Sequence, residues 1–140
     1  MDSLRVTYGE TNFNDTGISS LPSYEECFGS FYCHGSALED LSKLRIIKGT
    51  GSFTNSGVQH LDALEFVGGD LYFTNSRVRS AKNLKVVGNL LDCRFSVIED
   101  LSSIEKVGKR ILIQDTCKAK STISKKIARE KIFYSGPNRR

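Results

Sequence analysis

Apolar residues recur along this chain with a period of 20 residues. Five consecutive units keep the period without insertion or deletion, and they span 18–37, 38–57, 58–77, 78–97 and 98–117. The position that opens each unit is apolar throughout, and further apolar columns follow three, six and nine residues later. A period of this length is typical of repeat proteins whose units stack on one another.

Each unit also contains a short stretch in which apolar and polar residues alternate. Leu71, Tyr72 and Phe73 are an example, and the equivalent stretch begins 13 residues into every unit. Alternation with a period of two predicts a β-strand. Because one coil of 20 residues cannot bury its apolar side alone, successive coils must stack and pair their strands in parallel. The sequence therefore predicts a solenoid with one strand of a parallel β-sheet in each unit.

Glycine and short polar residues mark the connections between these strands. Glycines fill most of two adjacent columns before the strand, and Asn55 and Asn75 follow it at equivalent positions. Such residues adopt positive φ, permit close approach of two backbones, or bond to backbone groups that a turn leaves free. We expect tight turns at both places.

The segments on either side of the repeats are predicted to cap the stack. Residues 1–17 continue the register upstream, with Thr11 and Phe13 in the strand columns, and predict an N-terminal capping half-repeat. Residues 118–140 are predicted to form a basic capping helix and tail, because Ile123 and Ile127 lie at helical spacing within 121–133. The predicted fold is an α/β repeat: five turns over 18–117, a half-turn before them and a helix after them.

Composition and charge narrow the classes of function. Of the 140 residues, 39% are hydrophobic and 26% are charged, as in ordinary globular proteins. No apolar run approaches the roughly 20 residues of a membrane helix, and the start of the chain lacks the apolar stretch of a secretion signal. We therefore expect a soluble protein that begins in a cytoplasm and has no membrane partner. The net charge of +4 conceals a basic end, because residues 118–140 contain eight Lys and Arg against Glu130 alone.

The cysteines and histidines are explained by the repeat. Cys27, Cys33 and Cys93 stand in columns that otherwise contain apolar residues, so we interpret them as small core residues with free thiols. Cys33 and Cys93 are three coils apart, roughly 14 Å, which is beyond disulfide reach. The chain has no C-x-x-C motif, and His34 and His60 fall in different columns, so no metal or cofactor is predicted.

One polar column imitates a catalytic arrangement. Asp40, His60 and Ser80 fall on adjacent coils, in the order of an orienting acid, a base and a nucleophile. The alternative is an exposed row of short polar side chains that bond to nearby backbone. Because the sequence supplies neither an oxyanion hole nor a deep pocket, we favour the second interpretation and expect no enzymatic activity.

The repeat resembles a known family. Segments 67–76 (VGGDLYFTNS) and 29–36 (GSFYCHGS) look like the short leucine-rich repeats of tailed bacteriophages and large DNA viruses, whose units read approximately V-G-G-D-F-x-C-x-x-N-x-L-x-x-L. The repeated G-x-L-x-F strand is also similar to the receptor L domain family. The resemblance covers 18–117 and implies a leucine-rich-repeat solenoid with a binding or structural role, in the host cytoplasm or in a virion. The chain departs from the pattern of the family at Gly51, Ala81 and Phe95.

The outward positions of the strands vary from coil to coil, whereas the core columns are monotonous. A flat, rigid sheet face favours a protein partner over a small molecule, which prefers a concave pocket. We therefore expect a non-enzymatic module that binds another protein through this face. The residues predicted to contact that partner are Tyr32, His34, Thr54, Asp70, Tyr72, Thr74, Asp92, Arg94, Arg110, Leu112 and Gln114.

Three other roles are compatible with the sequence. The chain is alternatively a structural or decoration protein assembled in a virion, an inhibitor of a host defence or host enzyme, or a weak binder of nucleic acid through its basic tail. Two interpretations of Ile46, Phe66 and Val86 also remain open: they form either a second buried row or an exposed apolar stripe for a partner.

Overall fold

In a computed structural model, which describes residues 3–135, the chain winds into a parallel β-solenoid of about six turns with almost no helix. The solenoid and its parallel pairing confirm the prediction from the repeat. No helix in the described part of the chain is long and apolar enough to cross a membrane.

Each turn contributes one strand to each of two sheets, so the prediction of a single strand per unit was incomplete. Neighbouring strands from β1 to β12 pair at an offset of 20 residues, as Phe31 does with Gly51. The first sheet consists of β1 (Val6–Thr7), β3 (Glu26–Cys27), β5 (Ile46–Ile47), β7 (Phe66–Val67), β9 (Val86–Val87) and β11 (Lys106–Val107). The second sheet consists of β2 (Thr11–Asn12), β4 (Phe31–Tyr32), β6 (Gly51–Ser52), β8 (Leu71–Tyr72), β10 (Leu90–Asp92), β12 (Arg110–Gln114) and β13 (Ile132–Ser135).

The third side of the coil is irregular. Isolated parallel bridges join Ser20 to Asp40 and His60 to Ser80 there. Tight turns separate the three sides, which keeps most strands to two residues.

The predicted apolar columns form the core. Leu61, Leu64 and Val67, which represent three of these columns in one turn, are fully buried. In the strand columns, the ring of Phe53 lies 5.7 Å from that of Phe31 and 6.2 Å from that of Phe73. Gly51 interrupts its column because space is needed for these rings and for Ile47: an added Cβ would lie 3.5 Å from Phe53 and 2.9 Å from Ile47.

The polar corners after the second-sheet strands have the predicted turn chemistry. Asn55 and Asn75 adopt left-handed backbone, with φ of 53° and 49°. The hydroxyl of the following Ser56 donates a hydrogen bond to the carbonyl oxygen of Phe53 at 3.0 Å. Asparagine tolerates this conformation, and serine satisfies backbone groups that the turn exposes.

The N-terminal segment is more than the predicted half-turn, because β1 and β2 extend both sheets. Thr7 and Thr11 occupy inward positions that carry Cys27 and Phe31 one turn later. Thr11 donates to the Thr7 hydroxyl at 2.7 Å, and the Thr7 and Tyr24 hydroxyls are 2.5 Å apart. Linked hydroxyls therefore replace apolar groups at this end of the core.

The predicted capping helix over 121–133 is wrong. The chain there forms short 3₁₀ helices at Lys118–Thr122 and Arg129–Lys131, and then β13, which pairs in parallel with β12. Buried Ala119 and Ile127 cover the end of the core. A strand is favoured here because β12 would otherwise leave a row of backbone donors and acceptors unpaired at the sheet edge.

Candidate functional site

The outward side of the second sheet brings the predicted contact residues together. We call it the second-sheet face. Because side chains alternate across a strand, Phe31 points inward and Tyr32 outward, and the parallel register repeats this choice in each turn. The central outward column consists of Asn12, Tyr32, Ser52, Tyr72, Asp92, Leu112 and, on β13, Phe133.

A buried carboxylate lies at the centre of this face. The prediction that Asp92 is exposed is wrong: the residue is only 2% exposed, because it stands between Tyr72 and Leu112 in register and is covered by Arg94. Arg94 Nε donates to Asp92 Oδ1 at 3.0 Å and Nη2 donates to Oδ2 at 2.7 Å. These hydrogen bonds raise the pKa of Arg94. The half-exposed guanidinium is thus fixed in place by a charge-assisted, bidentate pair.

Tyr72 is oriented by Asp70, the residue directly before its strand β8. Its hydroxyl donates to Asp70 Oδ2 at 3.0 Å, while Asp70 Oδ1 accepts from the backbone N–H of Leu90 at 3.1 Å. Partial burial, together with the hydrogen bond to Asp70 and the negative charge of that residue, raises the pKa of Tyr72. The phenol therefore stays protonated, and its ring is presented to solvent in one orientation.

The remaining polar residues of the face form contacts between adjacent turns. The Thr54 and Thr74 hydroxyls are 3.2 Å apart, and Gln114 Oε1 accepts from the backbone N–H of Phe95 at 2.7 Å. His34 is exposed, and its backbone N–H donates to the Asn14 side chain at 2.6 Å.

The C-terminal strand adds an aromatic residue to the face. Phe133 lies opposite Leu112 in register and is 48% exposed, and the Arg110 guanidinium carbon is 5.0 Å from the centre of its ring. This contact has the geometry of a cation–π interaction. Sequence reasoning assigned Phe133 to the capping helix and missed it. The run from Ile132 to Tyr134, apolar and aromatic, was the available signal of a strand.

Phe95 is a second residue that the sequence reasoning did not place on the site. It occupies the corner after β10 with φ of 57°, and its side chain is 65% exposed. Left-handed backbone costs about 1–2 kcal/mol for a residue other than glycine, and asparagine and aspartate tolerate it best. The available signal was its departure from the polar corner column.

Ile46, Phe66 and Val86 belong to the outward side of the first sheet and are half-buried. The Lys48 ammonium lies 5.4 Å from the centre of the Phe66 ring. These three residues are therefore not a second buried row.

The polar column on the third side is held by contacts between adjacent turns. Asp40 accepts hydrogen bonds from the Ser20 hydroxyl at 3.3 Å and from the Ser42 backbone N–H at 3.0 Å. His60 Nδ1 is 2.8 Å from Ser80 Oγ. Among the contacts of the described residues, Asp40 therefore bonds to Ser20 and Ser42 and not to His60. Hydrogen bonds from Ser42 lower the pKa of Asp40.

Cys27, Cys33 and Cys93 lie in the core, as their columns predict, and Cys117 is half-buried. Burial raises the pKa of Cys33 to about 12 and also raises that of Cys93. Within residues 3–135, no group of three or more His, Cys, Asp or Glu side chains is placed to share a metal ion.

Several cations of the basic C-terminal segment contact the chain itself. Lys131 Nζ donates to the carbonyl oxygen of Val107 at 2.9 Å, and Lys126 Nζ lies 3.9 Å from a Glu105 carboxylate oxygen. Lys120 lies over the Tyr134 ring at 5.4 Å. The tail that was predicted beyond this segment, residues 136–140, lies outside the described residues.

Comparison with protein-family models, with curated proteins and with solved structures finds no match. The fold itself therefore defines the class, which is a parallel β-solenoid built from a 20-residue repeat.

Proposed function

We propose that this chain is a non-enzymatic interaction module that binds another protein through the second-sheet face. The carrying observation is the composition of that face: half-buried Tyr32 and Tyr72, exposed Phe133, and the two arginines Arg94 and Arg110. Tyrosine, other aromatic residues and arginine are the types most enriched at the energetic centres of protein interfaces.

The rigidity of the face also supports this role. Tyr72 is held by Asp70, Arg94 by Asp92, and Arg110 contacts the ring of Phe133. Side chains that are already fixed lose less conformational entropy when they bind. Asp92 and Arg94 neutralise each other within the chain, so this central pair contributes to recognition through shape more than through net charge.

We further propose that the chain belongs with the short leucine-rich repeats of bacteriophages and large DNA viruses. The support is the 20-residue period and the V-G-G-D-L-Y-F segment at 67–73. On this hypothesis the partner is a protein of the host cell or of the virion.

The experiment is a measured affinity for an identified partner. The chain is used to capture proteins from native cells, the candidates are identified by mass spectrometry and purified, and each is titrated calorimetrically. The test variant combines Tyr32→Ala with Tyr72→Ala, because neither change leaves a buried charge unpaired. We expect the dissociation constant to rise at least about 30-fold, or about 2 kcal/mol.

The matched control is Tyr8→Ala, since Tyr8 is an exposed tyrosine (79%) on the side of the first sheet. It should bind with unchanged affinity. Equal affinity of the double face variant and the parent chain would reject the second-sheet face. Capture of nucleic acid alone, lost steeply as salt is raised, would instead assign function to the basic segment.

A further inference from the structure

The corner after the second-sheet strands is a ladder of residues in left-handed backbone. The φ values are 56° at Asp15, 66° at Gly35, 53° at Asn55, 49° at Asn75 and 57° at Phe95. The first four are of types that tolerate this region, whereas a bulky aromatic residue there is an outlier. Phe95 is therefore held in a conformation for which its side chain is poorly suited.

Backbone contacts on both sides hold Phe95 in this conformation. Its carbonyl oxygen accepts from the Asn75 N–H at 3.1 Å, which continues the ladder, and its own N–H donates to the Gln114 side chain at 2.7 Å. The amide oxygen of Gln114 thus takes the place of a carbonyl from a next corner residue. The corner is fixed, and the ring projects from a rigid point.

Burial of the Phe95 side chain does not offset the cost of its left-handed backbone. The Phe95 side chain is 65% exposed, and Val97, two residues further on, is 50% exposed. Strained backbone that persists at a rigid position is characteristic of functional sites, and an exposed aromatic ring next to it is characteristic of an interface. Strain and exposure are independent observations, and both point to contact with another molecule.

The surroundings define the chemistry of that molecule. Val97 lines one shallow depression with Arg77 and a second with Lys118. Arg77 and Lys118 form no ion pair among the contacts of residues 3–135, whereas Arg79, which lines both depressions, pairs with Glu99 at 3.3 Å. Val97, two residues from Phe95 along the chain, thus lies beside both cations. Two exposed apolar residues next to such cations complement an apolar pocket whose rim carries carboxylates.

We propose that Phe95 is the anchor of the interface: its ring inserts into an apolar pocket of a folded protein, and carboxylates on the rim of that pocket face Arg77 and Lys118. This inference rests on the proposed function, since it places the anchor at the edge of the second-sheet face. Beyond the proposed function, the inference specifies which part of the partner this chain recognises.

The first test measures stability in the purified chain. Phe95→Asn places a residue that tolerates left-handed backbone at the corner, so we expect the midpoint of thermal unfolding to rise by about 3 °C or more. The control is Phe133→Asn, which removes an exposed aromatic residue from a strand and should not raise the midpoint. An unchanged or lower midpoint for Phe95→Asn than for the parent chain would overturn the claim that the corner is strained.

The second test measures contact and affinity. The photoreactive residue p-benzoylphenylalanine replaces Phe95 in one chain and Tyr8 in a control chain, both are irradiated in native cells, and the protein crosslinked from position 95 is identified, purified and titrated. We expect Phe95→Asn to weaken its binding at least about 30-fold, and Arg77→Ala with Lys118→Ala to weaken it at least about 5-fold at low salt and less at high salt.

Each outcome supports or overturns the anchor. It is overturned if position 95 crosslinks nothing, only nucleic acid or only a second copy of this chain, or if Phe95→Asn retains the affinity of the parent. If the variant with Arg77→Ala and Lys118→Ala binds with the affinity of the parent, the proposed contact with carboxylates on the rim of the pocket is overturned. If the Tyr32 and Tyr72 variant loses affinity while Phe95→Asn retains it, the proposed function stands and the anchor fails. The reverse result rejects the second-sheet face.

Discussion

Gly88 provides a direct test of the spacing between adjacent turns. It lies in the turn between β9 and β10, where the chain passes from the first sheet to the second. A Cβ atom built on Gly88 would lie 1.9 Å from the carbonyl oxygen of Gly68 in the preceding turn, whereas real Cβ contacts essentially never fall below 3.0 Å. Its φ is not in the left-handed region, so the constraint is the close approach of two backbones and not the conformation of Gly88 itself.

The expected cost of Gly88→Ala follows from the contacts that must move. To admit the methyl group, adjacent turns must separate by about 1 Å, which breaks or lengthens the hydrogen bonds from Gly88 to Val67 (2.8 Å) and from Asn89 to Gly69 (3.0 Å). Forced packing costs about 1–3 kcal/mol and each hydrogen bond contributes about 1 kcal/mol. We therefore expect Gly88→Ala to lower the free energy of unfolding by about 3–5 kcal/mol.

The measurement is chemical denaturation followed by circular dichroism, with Gly17→Ala as the matched control. Nothing lies within 4 Å of a Cβ built on Gly17, and its backbone is not left-handed. Alanine should be neutral there or stabilise by about 0.4–1 kcal/mol, because it restricts the unfolded chain. If Gly88→Ala and Gly17→Ala have the same stability within about 1 kcal/mol, the close approach of turns at Gly88 does not exist.

Three further predictions concern the core, the thiols and the acid range. Phe73→Ala should cost about 3–5 kcal/mol in denaturation, because the ring is fully buried; a loss below about 1 kcal/mol would mean that its strand faces the other way. In the native protein a thiol reagent at neutral pH should leave Cys33 unmodified, since burial raises its pKa to about 12, and should modify it after unfolding; rapid native modification of Cys33 would contradict this. Hydrogen bonds from Ser102 lower the pKa of Asp100. Its contribution to stability is therefore present above the unfolded pKa near 4 and is lost as the pH falls below that value. The difference in unfolding free energy between the parent and Asp100→Asn should shrink below about pH 4, and a difference that stays constant would contradict this prediction.

The two adjacent glycine columns show where sequence reasoning stopped short. In the sequence, Asn89 and Lys109 interrupt a column that begins with Gly9, which suggests that the later turns are irregular. In the structure, Gly88 and Gly108 make the close backbone contact one position earlier, and β10 and β12 begin one residue sooner than β8. The later turns are therefore as regular as the earlier ones, with the close glycine contact one position earlier in the repeat.

The candidate site was predicted in part. The period of two assigned Tyr32, Tyr72 and Arg94 to one face correctly, since alternation is a local property of an extended chain. It assigned Asp92 to solvent as well, because the pattern shows direction and not the size of neighbouring side chains. Phe133 was missed because its place depends on which strand it pairs with.

The sequence by itself determined the solenoid, the parallel register and the inward columns, because a 20-residue repeat places equivalent residues at equivalent positions in every coil and each coil must bury the same side. Only the tertiary structure decided the C-terminal cap. Ile123 and Ile127 suit a helix by their spacing, but the unpaired edge of β12 is created by residues that lie far upstream in the chain, and pairing that edge with Ile132–Ser135 satisfies backbone groups that a helix would leave without partners.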